Sequence, residues 1–203
     1  MGLEKPTKGK VIFKGVEIST STEDDLAEFR KRNIGIVYQQ SYWIKSLNVV
    51  ENVALPLVLR GIDKQVAEAS ALTILNSLGM KEWATYHPHE LSSGQQQKVS
   101  LSRALITNPD IIIADEPTGN LDYRSGQLIT SYLKKLAETG KTVIMVTHNL
   151  DNLDYAERVI NIFDGRVADD FELNSNNLDD VKKALITEKP MEMSRTITVL
   201  KRS

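Results

Sequence analysis

The chain has 203 residues and a formal net charge of −2, with 41% hydrophobic and 26% charged residues, which is ordinary for a globular protein. This balance provides no global basic field, so we expect no nucleic-acid partner. The absence of cysteine excludes disulfides, thiolate zinc sites and cysteine nucleophiles.

The sequence has no run approaching the roughly 18 consecutive apolar residues of a membrane span. The first ten residues, MGLEKPTKGK, lack the apolar region of a secretory signal. We therefore expect a soluble cytosolic protein.

The first third of the chain predicts a hairpin, a helix and a strand. KVIFKGVEI (10–18) consists of two short β-rich runs around Lys14-Gly15. STEDDLAEFRKRN (21–33) begins with acidic residues and ends with basic ones, the order that a helix dipole favours. IGIVYQ (34–39) predicts a compact strand.

Helical signals dominate the middle of the chain, and strands return after it. Residues 47–59 and 64–78 have helical periodicity, and Gly61 and Gly79 follow them as C-cap candidates. Strands are predicted at 111–115 and 142–147. The pattern predicts an α/β fold with a mostly parallel sheet and a helical subdomain at about 41–104.

We divide the chain into a domain at 1–170 and a C-terminal extension of unknown role at 171–203. NLDDVKKALI within the extension is a candidate last helix, and MEMSRTITVLKRS has no assignment.

Four polar residues stand at predicted strand ends, where parallel sheets bind ligands: Gln39, Asp115, Glu116 and His148. Two adjacent strand residues point to opposite faces, so one acid could hold a metal-bound water while the other orients an attacking water. Alternatively, the acids solubilise a turn or cap the next helix, and the histidine is hydrogen-bonded at a strand end.

The segment LSSGQQQKVSLSRAL (91–105) predicts a helix that is capped by Ser92 or Ser93. The free N–H groups at its start could bind an anion. A simple helix cap explains the serines equally well, so both interpretations remain open at this point.

Taken together, these features resemble the ATP-binding-cassette (ABC) ATPases. The segments IGIVYQQ, ENVALPLVLRG, HELSSGQQQKVSLSRAL and ADEPTGNLD are most similar to the branch that drives lipoprotein release and macrolide or peptide export. The resemblance covers roughly Leu3 to Val167. It implies an ATP-hydrolysing core of the P-loop NTPase type.

At the strand ends, the resemblance implies a site for ATP and Mg²⁺. Asp115 matches the Walker B aspartate that supports magnesium, and Glu116 matches the general base for water. Gln39 matches the Q-loop glutamine, which reaches magnesium and the attacking water. His148 matches the switch histidine that contacts the γ-phosphate.

The resemblance also implies a dimer, homomeric or heteromeric. Asp122 matches the D-loop aspartate at the dimer interface. The signature motif binds the γ-phosphate of a nucleotide held by the opposite subunit, and it is matched by Ser92, Ser93, Gly94 and Gln95. A membrane-spanning permease is the other implied partner, and it would hold the chain at the inner face of the cell membrane.

The 203 residues contain no G-x-x-x-x-G-K-[ST] phosphate loop, because no two of the 11 glycines are five positions apart. The first strand, the loop and its helix are the parts that this sequence lacks relative to the family. Either Met1 is internal to a longer or disrupted reading frame, or the short chain is itself the product. In the second case we expect it to expose apolar strand edges and to be poorly soluble alone.

Two alternatives to an active transporter subunit follow. The first is a catalytically inactive subunit that donates only its signature motif to a partner. The second is a soluble ABC protein acting on ribosomes or DNA, which the absence of paired cassettes and long charged insertions disfavours. Ser93 stands where the family has glycine, and its β-carbon matters only if the backbone there has a positive φ or packs directly on phosphate.

Overall fold

A computed structural model of the protein describes residues 2–187 and 194–200, which form an α/β fold. The strands are β1 (Ile12–Phe13), β2 (Val16–Glu17), β3 (Ile34–Val37), β4 (Ile111–Asp115), β5 (Thr142–Thr147), β6 (Arg158–Phe163), β7 (Arg166–Glu172) and β8 (Ser194–Leu200). The helices are α1 (Glu23–Asn33), α2 (Val49–Val58), α3 (Lys64–Ser77), α4 (Ser93–Leu105), α5 (Tyr123–Glu138) and α6 (Leu178–Thr187). Short 3-10 turns lie at Lys81–Trp83, Pro88–Glu90 and Leu150–Tyr155.

The first two elements confirm the sequence predictions. β1 and β2 form an antiparallel hairpin whose turn residues Lys14 and Gly15 both have positive φ. The α1 helix begins with a capping box, in which Thr22 and Asp25 accept hydrogen bonds from each other's backbone N–H groups.

The middle of the chain is helical, as predicted, and it packs through small residues. Ala67, Ala71 and Leu75 recur every four residues along α3 and are fully buried. Gly61 and Gly79 follow α2 and α3 with φ of +83° and +67°, which confirms the two predicted glycine C-caps.

The parallel core consists of β3, β4 and β5, paired in that order. Its alternate residues, including Ile112, Val143 and Met145, are completely buried in one apolar cluster with α2–α5. A β-carbon on Gly35 of β3 would lie 2.3 Å from the carbonyl oxygen of Ala104, so only glycine lets β3 approach the end of α4 this closely.

The full sheet has six strands in the order β3-β4-β5-β8-β6-β7. Because β8 is antiparallel to both β5 and β6, four strands run in one direction and β7 and β8 run in the other. The sheet therefore has a parallel core, β3-β4-β5, and its three other ladders are antiparallel.

The C-terminal region includes the predicted helix as α6 and, as β8, a strand that the sequence did not indicate. Residues 191–193 and 201–203 of the unassigned tail, and residues 188–190 before it, lie outside the described residues. Within the described part of the chain, no helix has the length and apolar character to cross a membrane.

Candidate functional site

The carboxyl ends of β3, β4 and β5 lie side by side, and the predicted residues follow them. Asp115 is the last residue of β4, His148 directly follows β5, and Gln39 lies two residues beyond the end of β3. The side-chain nitrogen of Gln39 lies 2.8 Å from where a β-carbon on Gly119 would be, so Gln39 rests against the turn after β4. The structure therefore brings these three side chains to one edge of the sheet.

Glu116 departs from the strand geometry of the residues that precede it. Its φ is +43°, a left-handed conformation that costs a non-glycine residue about 1–3 kcal/mol. Its N–H donates to the carbonyl oxygen of Val146 at 2.8 Å, which holds it beside β5. Because β4 ends at Asp115, the alternation of side chains along a strand does not determine which way the Glu116 side chain points.

The Glu116 carboxylate turns toward the end of β5. It accepts hydrogen bonds from the backbone N–H of His148 at 2.9 Å and from the hydroxyl of Thr147 at 3.2 Å. The Nδ1 atom of His148 lies 2.7 Å from the same carboxylate, a distance at which one of the two atoms must carry a proton. A carboxylate fixed beside an imidazole in this way can accept a proton from a water molecule.

The amino end of α4 contains the serines predicted to cap it, and Ser92 is the cap. The Ser92 hydroxyl accepts from the N–H of Gln95, whose side chain accepts from the N–H of Ser92. The first intrahelical bond runs from Gln96 to Ser92, so the N–H groups of Ser93 and Gly94 have no intrahelical acceptor. Ser93 is helical and does not have a positive φ, so its β-carbon adds no backbone strain, as expected.

Asp122 caps the amino end of α5 and lies next to α4 through Ser125. Ser125 donates to Asp122 from its hydroxyl at 2.7 Å and from its N–H at 3.0 Å. These hydrogen bonds, led by the hydroxyl, lower the pKa of Asp122 below its ordinary value. Ser125 in turn lies against Gly94, so the predicted D-loop aspartate and signature glycine are joined by one serine.

The segment 38–43, which contains Gln39, is held by α4. Gln97 is 4% exposed and donates to the carbonyl oxygen of Tyr38 at 3.2 Å. Arg103 donates to the carbonyl oxygen of Tyr42 at 2.7 Å, and its guanidinium lies 4.6 Å from the centre of the Trp43 ring. Burial lowers the pKa of Arg103.

The contacts of Gln97 and Arg103 with the segment 38–43, and the contact of Ser125 with Gly94, were not predicted from the sequence. The only available signal was a glutamine inside an amphipathic helix, at a position that its periodicity assigns to the buried face.

Two cavities flank the segment 38–43. A polar one of about 200 Å³ is lined by Gln39, Ser93, Gln97 and Asn120, among others. A larger groove of about 520 Å³ lies on the other side, between the edge strand β3, α2 and α4. Tyr42, Leu55, Pro56 and Leu59 contribute apolar surface to this groove, which we call the β3–α2 groove.

The β3–α2 groove is also basic. Lys31, Arg60 and Arg103 line it, and its lining residues include no aspartate or glutamate. Its walls are partly open, because the side chains of Tyr42 and Leu59 are 71% and 68% exposed. An apolar, cationic groove of this kind suits an amphipathic segment that carries a carboxylate.

The donor set at the strand ends fits a magnesium ion that arrives with a nucleotide. Among the described residues, no three histidine or acidic side chains cluster as a protein-only metal site. Mg²⁺ normally needs only one or two protein oxygens when phosphates supply others. Asp115, which is exposed at the end of β4, and the Gln39 carboxamide could supply them.

Comparisons with known proteins identify the family. The ABC transporter family model matches residues 1–119. The ABC transporter ATP-binding protein MJ1508 of Methanocaldococcus jannaschii is 44% identical over 167 residues, which are 82% of this chain and 75% of that protein. The macrolide export ATP-binding/permease protein MacB of Vibrio parahaemolyticus is 39% identical over 83% of this chain, but the match spans only 26% of MacB.

A solved structure agrees with these matches. The dimeric ATP-binding cassette MJ0796, in a post-hydrolysis state bound to ADP and Pi, is 38% identical with a TM-score of 0.76. The match covers 85% of this chain and 77% of that chain. The chain belongs to the ABC transporter family and is an ATP-binding subunit of its ATPase type.

Proposed function

We propose that the chain couples the hydrolysis of MgATP to export, or to lipoprotein release, through a separate membrane permease. The observation that carries this proposal is the convergence of Asp115, Glu116 and His148 at one edge of the sheet, with Glu116 held in a left-handed conformation. Similarity to MacB supports the export branch.

In this proposal Glu116 is the general base. It is positioned by its hydrogen bonds to Thr147 and His148, so its free oxygen lone pairs point away from β5 toward an attacking water. His148 is 68% exposed and can therefore contact the γ-phosphate directly. Asp115 and Gln39 are the residues that would hold a nucleotide-bound Mg²⁺, which would neutralise phosphate charge during phosphoryl transfer.

The amino end of α4 serves the nucleotide of a second subunit. The unpaired N–H groups at Ser93 and Gly94 and the helix dipole favour an anion there. MJ0796, which this chain resembles, is dimeric. We therefore place Ser92, Ser93, Gly94 and Gln95 against the γ-phosphate across a dimer interface that includes Asp122.

The permease occupies the β3–α2 groove, which places the chain on the cytoplasmic face of the membrane. The groove contacts the segment that contains Gln39 and therefore links the permease to the nucleotide site. Its three basic residues predict that the docked segment has an acidic residue among apolar ones.

Two substitutions test the catalytic roles in the complex of the full chain with its permease. Glu116→Gln removes the base while keeping its size, so phosphate release from MgATP should fall at least about 100-fold. Ser92→Asp keeps a helix cap but places a negative charge beside the γ-phosphate, and it should block release as well. The exposed Glu82→Gln is the control.

The same two variants, Glu116→Gln and Ser92→Asp, also test a second candidate function, in which the subunit only donates its signature motif to a partner. That candidate is supported by the start of α4, where the N–H groups of Ser93 and Gly94 have no intrahelical acceptor. It predicts that Glu116→Gln is silent while Ser92→Asp still blocks release. If neither variant changes phosphate release, both proposals are wrong.

The groove is tested separately by binding. Leu59→Asp should release the chain from detergent-solubilised permease, because it buries a charge and repels the acidic residue of the partner. Val66→Asp is the matched control, because Val66 is 57% exposed on α3 and does not line the groove. Equal binding of both variants would contradict docking at this site.

A further inference from the structure

A series of hydrogen bonds between buried side chains starts at the Glu116 carboxylate and ends on α5. The Thr147 hydroxyl donates to one carboxylate oxygen at 3.2 Å, and the side-chain nitrogen of Asn152 donates to that hydroxyl at 3.0 Å. The Thr130 hydroxyl on α5 donates to the side-chain oxygen of Asn152 at 3.3 Å. Thr130 and Thr147 are each 1% exposed and Asn152 is 5% exposed, so these three side chains can affect a bound nucleotide only through their neighbours.

The proton of the Thr147 hydroxyl has one direction in this arrangement. A hydroxyl has one proton to donate and two lone pairs that accept. The Thr147 oxygen accepts from the backbone N–H of Asn149 at 3.1 Å and from the side-chain nitrogen of Asn152, which uses both lone pairs. The proton is left for the Glu116 carboxylate. Its hydrogen bond of 3.2 Å is loose, as is common at catalytic groups before substrate binds.

The orientation of the Asn152 amide therefore matters to Glu116. If the amide were rotated by 180°, its oxygen would face the Thr147 hydroxyl and would accept the proton that Glu116 now receives. Asn152 is also replaceable without stranding Thr130, because the Thr130 hydroxyl has a second acceptor in the carbonyl oxygen of Gly126 at 3.1 Å. Loss of the Asn152 amide should thus act mainly on Thr147.

We propose that Asn152 is a positioning residue for the general base and that it acts through the Thr147 hydroxyl. The inference rests on the function proposed above, in which Glu116 accepts a proton from water. An apolar side chain would fill the same buried space at lower cost, since burying an amide is unfavourable unless it is hydrogen-bonded. The amide at position 152 is therefore explained by the bond that it makes, which makes Thr147 a donor toward the carboxylate.

The first test measures how firmly the carboxylate is held in the full chain without nucleotide. The backbone N–H of His148 donates to Glu116, so its hydrogen exchange reports this contact. Asn152→Leu, which keeps the shape of the side chain, should speed exchange at His148 about tenfold and exchange in β3 and β4 by less than about twofold. The control Ile129→Val, at a position of α5 that is 1% exposed, should not change His148. An equal change in β3, β4 and His148, or no change at His148, would overturn the proposal.

The second test follows phosphate release by the complex of the full chain with its permease. Asn152→Leu should lower kcat about fivefold and change the KM for MgATP by less than about twofold, because the base acts in the transition state. Added to Thr147→Val, which removes the hydroxyl, Asn152→Leu should lower kcat by less than about twofold further. Added to Thr147→Ser, which keeps the hydroxyl, it should again cost about fivefold. Equal effects in both backgrounds would overturn transmission through the hydroxyl.

The two measurements separate the failure of this inference from the failure of the proposed function. If Glu116→Gln lowers phosphate release and Asn152→Leu does not, Glu116 remains the base and the role of Asn152 is wrong. If Glu116→Gln leaves phosphate release unchanged, the assignment of the base is wrong, and the role of Asn152 is wrong with it, whatever the exchange at His148 shows.

Discussion

The hydroxyl oxygen of Ser125 lies 2.9 Å from the position that a β-carbon on Gly94 would take. Ser125 cannot move away freely, because it donates two hydrogen bonds to Asp122. A side chain at residue 94 would therefore force Ser125, at the start of α5, to shift.

We expect Gly94→Ala to lower the free energy of unfolding by about 1–3 kcal/mol, the usual cost of overpacking. A loss of stability would be informative, because alanine in an ordinary helix position stabilises by about 1 kcal/mol relative to glycine. Denaturant unfolding of the purified chain measures the difference. Adding Ser125→Gly should recover most of the loss, and a stabilised Gly94→Ala chain would contradict the packing described here.

The ionisation of Asp122 should depend on Ser125. The Ser125 hydroxyl and N–H lower the pKa of Asp122, so the contribution of this carboxylate to stability is present above its ordinary pKa and is lost as pH falls through the lowered value. Carboxyl-carbon NMR titration should show the pKa of Asp122 rising toward its ordinary value in Ser125→Ala. An unchanged midpoint would show that the hydroxyl does not stabilise the anion.

Substitution of Ser92 separates its role in capping from its proposed role at a phosphate. Ser92→Ala should cost about 1 kcal/mol of stability, because the N–H of Gln95 loses its acceptor. Ser92→Asp should keep the wild-type stability to within about 0.5 kcal/mol, since aspartate caps as well as serine. Thermal and denaturant unfolding measure both, and equal destabilisation by the two variants would show that residue 92 is not the cap.

Asn52 should be among the most sensitive polar positions. It is fully buried, and its side-chain nitrogen donates to the carbonyl oxygens of Ile44, Leu47 and Asn48, while its oxygen accepts from the N–H of Ile44. The carbonyl oxygens of Ile44 and Asn48 also accept from backbone N–H groups, so Asn52→Ala chiefly removes the partners of the Ile44 N–H and the Leu47 carbonyl. It should cost about 2–4 kcal/mol. Urea unfolding measures this, with the exposed Asn76→Ala as the control, which should change stability by less than about 0.5 kcal/mol.

The parts of the fold that the sequence predicted are those set by local chemistry. The apolar runs at 111–115 and 142–147 appear as β4 and β5, and the predicted cap at Ser92 starts α4. Caps and buried strands have short, strong signals because each depends on a few adjacent residues.

The parts that it did not predict depend on distant segments. Glu116 takes a left-handed conformation because β5, some thirty residues later, supplies the partners of its N–H and carboxylate. β8 pairs with β5 and β6, and nothing in TITVL distinguishes an inserted strand from a surface one. The hydrogen bonds from Gln97 and Arg103 to the segment 38–43 join residues that are about sixty positions apart in the sequence.

The α4 helix is one uninterrupted rod of 13 residues, about 20 Å long. Ser92 at one end faces the proposed phosphate, and Arg103 at the other end lines the groove proposed for the permease. A rod of this length cannot bend appreciably over three turns, so a tilt imposed at the groove must displace the serine end by a comparable amount. A movement of the permease could thus reach the nucleotide through α4 alone, without any change in the sheet on which α4 packs.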